Sequence, residues 1–170
     1  MCSCTSNISR IEREVKEMIN RRIEFTGNYI IIPSKDSVKI KNMLSDEAKI
    51  VTYIDKYQSC NECTFNALKQ WCKVLNKLNT QRFSYIIVFY TEEVDEIRRI
   101  IEHENFSVPV ICYKTDEFGK KNKISDKLTK NRTFLLNQYN EIVLIGEPFN
   151  NKKLFELYNT TILSLVNGEK

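Results

Sequence analysis

A chain of 170 residues with 42% hydrophobic content is long enough to bury one sizeable core and too apolar for a disordered segment. Its 26 basic and 22 acidic residues are interleaved, and a net charge of +4 spread in this way describes a solvated surface rather than a nucleic-acid footprint. No run of about eighteen apolar residues is present, and Gly27, Gly119, Gly146 and Gly168 are too scattered to build a phosphate loop or a dinucleotide fingerprint.

The N-terminal Met1-Cys2-Ser3-Cys4-Thr5-Ser6-Asn7 has no apolar signal-peptide core ahead of it. Two early cysteines followed by a polar tether suit the start of a mature bacterial lipoprotein, with a membrane anchor on Cys2 or Cys4. A cytoplasmic protein with a frayed tip is the alternative. Ser9 to Phe25 is charged, with Ile8, Ile11, Val15, Met18, Ile19 and Ile23 on one stripe, which predicts an amphipathic helix stopped by Gly27-Asn28. Residues 1–28 therefore read as tether and helix, and residues 29–170 as the domain proper.

Tyr29 to Ile32 is a short strand ended by Pro33. Val38-Lys39-Ile40 suggests a further strand within a polar stretch. Lys49 to Asp55 is a β-branched strand, followed by a polar turn and Cys60-Asn61-Glu62-Cys63. Phe65, Leu68, Trp71, Cys72, Leu75 and Leu78 then recur at helical spacing. A cysteine at a helix N-terminus faces unpaired N–H groups and the positive end of the dipole, which favours the attacking thiolate. Cys60 is then the nucleophile, with Cys63 near enough to close a ring with it. The same two cysteines are also half of a structural zinc site, which would need ligands from Cys2, Cys4, Cys72, Cys112 or His103.

Ser84 to Tyr90 is an apolar run suited to a strand buried on both faces. Thr91 reads as the cap of a helix with Glu92 and Glu93 in its first turn, carrying Val94, Ile97, Ile100 and Ile101 and ending at His103. Val108 to Tyr113 is a strand. Thr115 to Lys123 reads as a basic loop, and Ile124 to Leu128 as a short helix at most. Thr133–Asn137 and Glu141–Ile145 flank Gln138-Tyr139-Asn140 as a hairpin, and Leu154 to Val166 forms a final helix. Alternating strands and helices predict a parallel crossover unit, and the hairpin an antiparallel addition. The expected class is α/β: a mixed central sheet, helices on both faces and an extra N-terminal helix.

With Cys60-x-x-Cys63 at the head of the first crossover helix, this order resembles the thioredoxin-like superfamily over about residues 29 to 166. The stretch Arg132-Thr133-Phe134-Leu135-Leu136-Asn137-Gln138-Tyr139-Asn140-Glu141-Ile142-Val143-Leu144-Ile145-Gly146 is similar to the hairpin of the exported peroxiredoxin-like and cytochrome-maturation-like branch. The resemblance implies a thiol–disulfide oxidoreductase in which Cys60 attacks and Cys63 resolves. It implies protein disulfide or dithiol substrates, a recycling redox partner, no metal and no organic cofactor. It also implies a place in the bacterial cell envelope or periplasm, on a lipid anchor.

The sequence departs from the family at three positions. Ser59 replaces the aromatic before the first cysteine. Ile54 fills the slot of a buried acid, with Asp55 one step along and so on the opposite face of the strand. Arg132 stands where the family has a cis-proline beside the Thr that opens the hairpin. Arg132 either points a guanidinium at Cys60 or faces solvent. With Thr133 and Lys56 it forms the candidate substrate-binding or thiolate-stabilising set. Tyr53 and Tyr57 break the peroxidase signature, and Glu62 opposes thiolate formation while Lys56 offsets it. The departures also admit a non-catalytic binding module with a structural or vestigial disulfide.

Overall fold

The computed structural model describes residues 12–32, 37–55, 83–103, 106, 108, 110–124, 132–148 and 151–168. Lys56, Cys60, Cys63 and Cys72 lie outside them, as do Cys2 and Cys4. The elements are α1 (12–18), β1 (Tyr29–Ile32), α2 (Ser37–Met43), β2 (Ala48–Asp55), β3 (Phe83–Tyr90), α3 (Val94–His103), β4 (Val110–Tyr113), α4 (Glu117–Lys121), β5 (Thr133–Asn137), β6 (Ile142–Ile145) and α5 (Lys152–Asn167).

Six strands form one sheet in the order β1-β4-β3-β2-β5-β6. The three strands β2, β3 and β4 run parallel, and β1, β5 and β6 join antiparallel. This is the mixed sheet expected from the alternating pattern. Every residue of β2 is buried, as are the six central residues of β3. The nearly unbroken apolar run of β3 follows from burial on both faces, whereas β2 also buries Lys49, Thr52 and Asp55. On one face Ile50, Ile54, Ile87 and Phe89 pack under Val94, Ile97 and Ile101 of α3 and Tyr158 and Ile162 of α5. On the other, Val51, Tyr53, Val88 and Phe134 pack under Met18 of α1, Ile40 of α2 and Phe118 of α4. Helices thus cover both faces.

Both ends of α5 are fixed by its flanking residues. The Asn151 side chain accepts the Leu154 N–H (3.1 Å), and Gly168 takes the left-handed conformation that ends the helix. The hairpin turn is held by Asn137, whose Oδ1 accepts the N–H groups of Tyr139 and Glu141, while Asn140 has φ 63°.

Four local expectations are corrected. The segment with Val38-Lys39-Ile40 is the helix α2, because Ile40, Met43 and Leu44 recur at helical spacing and Ile40 is fully buried. The N-terminal helix does not reach Phe25. It ends at Met18, Asn20 then turns the chain with φ 64°, and Arg22 forms a bridge to Glu141. Ile23 is therefore buried from an extended segment, its N–H bonded to the Asn140 carbonyl (2.8 Å). The basic loop contains α4, anchored by buried Phe118, where a short helix was expected only from Ile124. Thr91 accepts the Glu93 N–H (3.0 Å) before α3 begins at Val94, so Asp95 and Glu96 are the acids of the first turn.

Candidate functional site

The carboxyl ends of β2, β3 and β4 share one edge of the sheet, where α/β folds place their sites. β2 ends at Asp55, and Lys56 to Cys63 follow directly in the sequence. β5 starts at the same edge, because Thr52 lies opposite Thr133. The residue before it, Arg132, gives its carbonyl to the Tyr53 N–H (2.9 Å). The strand leading into Cys60-x-x-Cys63 and the chain leading into the hairpin are therefore hydrogen-bonded neighbours at this edge.

Alternation along β2 divides its polar side chains. Thr52 faces the side with Ile50 and Ile54, where its Oγ1 lies 3.1 Å from that of Thr133 and accepts the Tyr85 hydroxyl at 3.1 Å. The carbonyl of Thr133 takes the Gly146 N–H (2.9 Å), and the Tyr158 hydroxyl donates to the Gly146 carbonyl (2.9 Å) and reaches the Thr133 carbonyl at 3.5 Å. The start of β5 is thus pinned by Tyr85 and Tyr158 from within the core. Burial is the main reason the Tyr158 phenol ionises far above its ordinary range, and the charge of Glu147 adds to it.

Tyr53 and Asp55 face the other side, as the offset from Ile54 predicts. Arg132 is 7% exposed, which overturns the solvent-facing alternative. Its Nη1 lies 3.8 Å from Oδ2 of Asp55, itself 6% exposed, and its guanidinium sits 5.4 Å from the centre of the Tyr53 ring. The Tyr53 hydroxyl donates to Oδ1 of Asp116 (2.7 Å) just before α4. Burial pushes the Tyr53 phenol upward, and the hydrogen bond to Asp116 and the charges of Asp116 and Asp55 reinforce this, with Arg132 opposing. A buried cation, a buried carboxylate and a tyrosine thus stand together where the chain enters the Cys-x-x-Cys stretch. Tyr85, Asp116 and Tyr158 were not singled out from sequence, and Tyr53 was noted only as a break in the peroxidase signature. Period-two alternation sorts Thr52 from Tyr53, but the Asp116 partnership spans 63 positions and has no local signature.

Cys112 on β4 and Lys49 on β2 are buried ionisable groups outside this cluster. Burial raises the Cys112 thiol to about 12, with Arg98 opposing, so this side chain behaves as a core residue. Lys49, at the opposite end of β2, is buried and donates from Nζ to the Asp46 carbonyl (2.7 Å), while the Ser84 hydroxyl donates to the Asp46 carboxylate. Burial lowers Lys49 to about 8 against the charges of Asp46 and Glu47. Among the described residues no three His, Cys, Asp or Glu side chains converge as metal ligands, and no helix is long and apolar enough to cross a membrane.

No protein-family model and no curated protein matches the chain. Solved structures do. A candidate electron transfer protein from Aquifex aeolicus VF5 is 19% identical with a TM-score of 0.55, covering 74% of this chain and 85% of that one. StoA from Bacillus subtilis is 17% identical with a TM-score of 0.52, covering 67% and 84%. The thioredoxin domain of a thiol–disulfide oxidoreductase from Bacteroides vulgatus is 12% identical with a TM-score of 0.53, covering 69% and 81%. The fold is thioredoxin-like.

Proposed function

We propose that this chain is a thiol–disulfide oxidoreductase that uses Cys60 and Cys63 on protein substrates of the bacterial cell envelope. The observation that supports the reading is the end of β2: Asp55, only five positions before Cys60 in the sequence, lies at the sheet edge where Arg132 and Thr133 open β5. Similarity to a fold whose solved examples include a thiol–disulfide oxidoreductase supports it.

The exchange needs only the chain and its substrates. The Cys60 thiolate attacks one sulfur of a substrate disulfide, forming a mixed disulfide and releasing a substrate thiolate. Cys63, deprotonated, then attacks the Cys60 sulfur and expels the second substrate thiolate. The substrate gains two electrons, and the protein becomes the Cys60–Cys63 disulfide. A dithiol partner returns it to the reduced state, and the reverse sequence oxidises substrates. Arg132 and Lys56 supply positive charge for the thiolate, and Thr133, bonded within the sheet, fixes the start of β5 from which Arg132 reaches the site. An anchor on Cys2 or Cys4 would hold the protein at the membrane.

The test is the reduction potential of the Cys60–Cys63 pair, read by alkylation and mass spectrometry across a glutathione or dithiothreitol series. A value within roughly −270 to −180 mV is expected for a working exchange site, and Cys60→Ser should abolish insulin reduction. Persistent activity in that variant refutes the assignment. The inward-turned Arg132 at the family's proline position favours a second reading, a binding module with a structural disulfide. A potential far below that range would select it.

A further inference from the structure

The two edges of the sheet are finished differently. The outer side of β6 is covered by Asn20 to Ile23, whereas no strand lies beyond β1 among the described residues. We infer that the free edge of β1 takes up an extended segment of a partner protein as an added strand, a segment with apolar residues over β1 and a carboxylate on Lys114.

The pairing of β4 fixes which backbone groups of β1 are free. The Tyr113 carbonyl accepts the Thr91 N–H (2.9 Å) on the β3 side of β4. Alternation then turns the backbone groups of Cys112 and Val110 toward β1, where they meet Ile30 and Ile32. Tyr29 and Ile31 therefore point their N–H and C=O groups out of the sheet, and among the described residues none of the four has a partner. Charged residues, prolines and covering segments are the usual means of blunting such an edge. Tyr29-Ile30-Ile31-Ile32 contains neither a charge nor a proline, and its first three residues are only partly buried. Its shortness is its one protection.

A cavity of about 490 Å³ opens beside the start of β1, with Asn28, Tyr29, Lys114 and Glu117 in its walls. Both Glu117 oxygens are engaged, one by the Thr115 hydroxyl (2.8 Å) and one by the Asn28 N–H (3.2 Å). Lys114 is exposed and has no hydrogen bond or ion pair among the described residues. It follows Tyr113, the partner of Tyr29, and so stands beside Asn28. A residue added opposite Asn28 lies two strand spacings from Lys114, roughly 9–10 Å, within reach of a lysine and an acidic side chain together. An antiparallel segment then reads as apolar residues opposite Ile31, Ile30 and Tyr29, followed by an acid. Main-chain bonds to Tyr29 and Ile31 supply affinity, and the acid supplies specificity. A second copy of this chain fits less well. Pairing Tyr29 with Ile31 across a two-fold axis sets Ile32 opposite Asn28 and brings Lys114 no carboxylate. Four residues also span only about 13 Å, too short an edge for the roughly 800 Å² per partner of a stable dimer.

The probe is a fluorescein-labelled peptide, Thr-Val-Ile-Val-Asp-Thr, blocked at both ends and titrated with the full chain by fluorescence anisotropy. Saturable binding is expected. N-methylation of either valine, the residues that would bond to Ile31 and Tyr29, should abolish it, and N-methylation of the isoleucine between them should not. Ile31→Pro removes an outward N–H and no ladder bond, and should abolish binding as well. Exchanging the peptide aspartate for asparagine should weaken binding by roughly fivefold in the parent and leave it unchanged in Lys114→Ala. Absence of saturation at roughly 1 mM, or a loss that does not depend on which residue is methylated, overturns the inference. An aspartate effect that persists in Lys114→Ala overturns the assigned partner chemistry. Sedimentation showing a parent dimer that Ile31→Pro dissociates gives the edge to a second copy and overturns it too. If Ile31→Pro does not fold, the methylated peptides decide. None of these outcomes touches the proposed exchange reaction, which the Cys60–Cys63 potential tests separately.

Discussion

Replacing Tyr158 with Phe removes one oxygen atom and tests how the start of β5 is held. The ring is 2% exposed, and its hydroxyl donates to the carbonyl of buried Gly146 at 2.9 Å. The more distant Thr133 carbonyl keeps the Gly146 N–H, so the loss falls on the Gly146 carbonyl. Leaving a buried acceptor without its donor costs about 1–3 kcal/mol. We expect about 1.5 kcal/mol, a fall in Tm of roughly 3–6 °C for a chain of this size and a fall in urea midpoint of roughly 0.5–1.5 M. Equilibrium urea unfolding followed by circular dichroism is the assay, with the slope unchanged from the parent. The deficit should stay constant up to about pH 10, where the unfolded phenol begins to ionise. Above that, the raised folded-state pKa means the unfolded parent gains charge first, and its advantage over the variant shrinks. A deficit under about 0.3 kcal/mol would refute the argument that this hydroxyl pins the strand.

Lys49 should give the opposite alkaline behaviour. Its folded-state value of about 8 lies below the unfolded 10.5, so between these the unfolded chain binds more protons and stability rises with pH. Lys49→Met should flatten that rise in unfolding measurements from pH 7 to pH 10.5. Cys112 is fully buried with its thiol near 12, so iodoacetamide at pH 8 should leave it unmodified in the native protein and modify it in urea. Native labelling would contradict the packing of β4. Gly27 has φ 96°, and a Cβ there would run into the Glu117 carboxylate that accepts the Asn28 N–H. Gly27→Ala should cost about 1–3 kcal/mol by denaturant unfolding, and an unchanged midpoint would count against this geometry. Asn122→Ala should cost about 1–3 kcal/mol, because one buried amide bonds the Glu24 N–H (2.8 Å) and the carbonyls of Glu24 and Phe118 (both 3.0 Å).

Strands β3 and β5 were legible because burial on both faces of a sheet leaves an apolar run that no loop requires, and β2 because its β-branched residues favour an extended chain. Helix α3 was legible for a different reason: Val94, Ile97 and Ile101 repeat at the helical period. Short elements were misread where a few residues fit either period. Val38 to Ile40 has strand composition, but the contacts of Ile40 and Met43 with the sheet decide for α2. Ile23 fits the stripe of α1 and yet is recruited by the hairpin edge, a partner more than a hundred positions away. At the site, Asp55 could be placed on the correct face by counting. Its pairing with Arg132 could not, because nothing in sequence fixes the register of β2 against β5.

The strip of chain along β6 bears on the order in which the molecule assembles. Asn20, Arg21 and Ile23 exchange backbone hydrogen bonds with Ile142 and Asn140, and Arg22 bridges to Glu141. A ribosome delivers these two stretches far apart in time. The early one has no seat until the hairpin emerges, and the hairpin has an open edge until the early one arrives. Closing so long a loop is slow relative to local helix formation, which places this seam among the last contacts to form. Nascent chains that stop before Glu141 should therefore present an unpaired segment to chaperones and to one another, and aggregation of such truncations would report it.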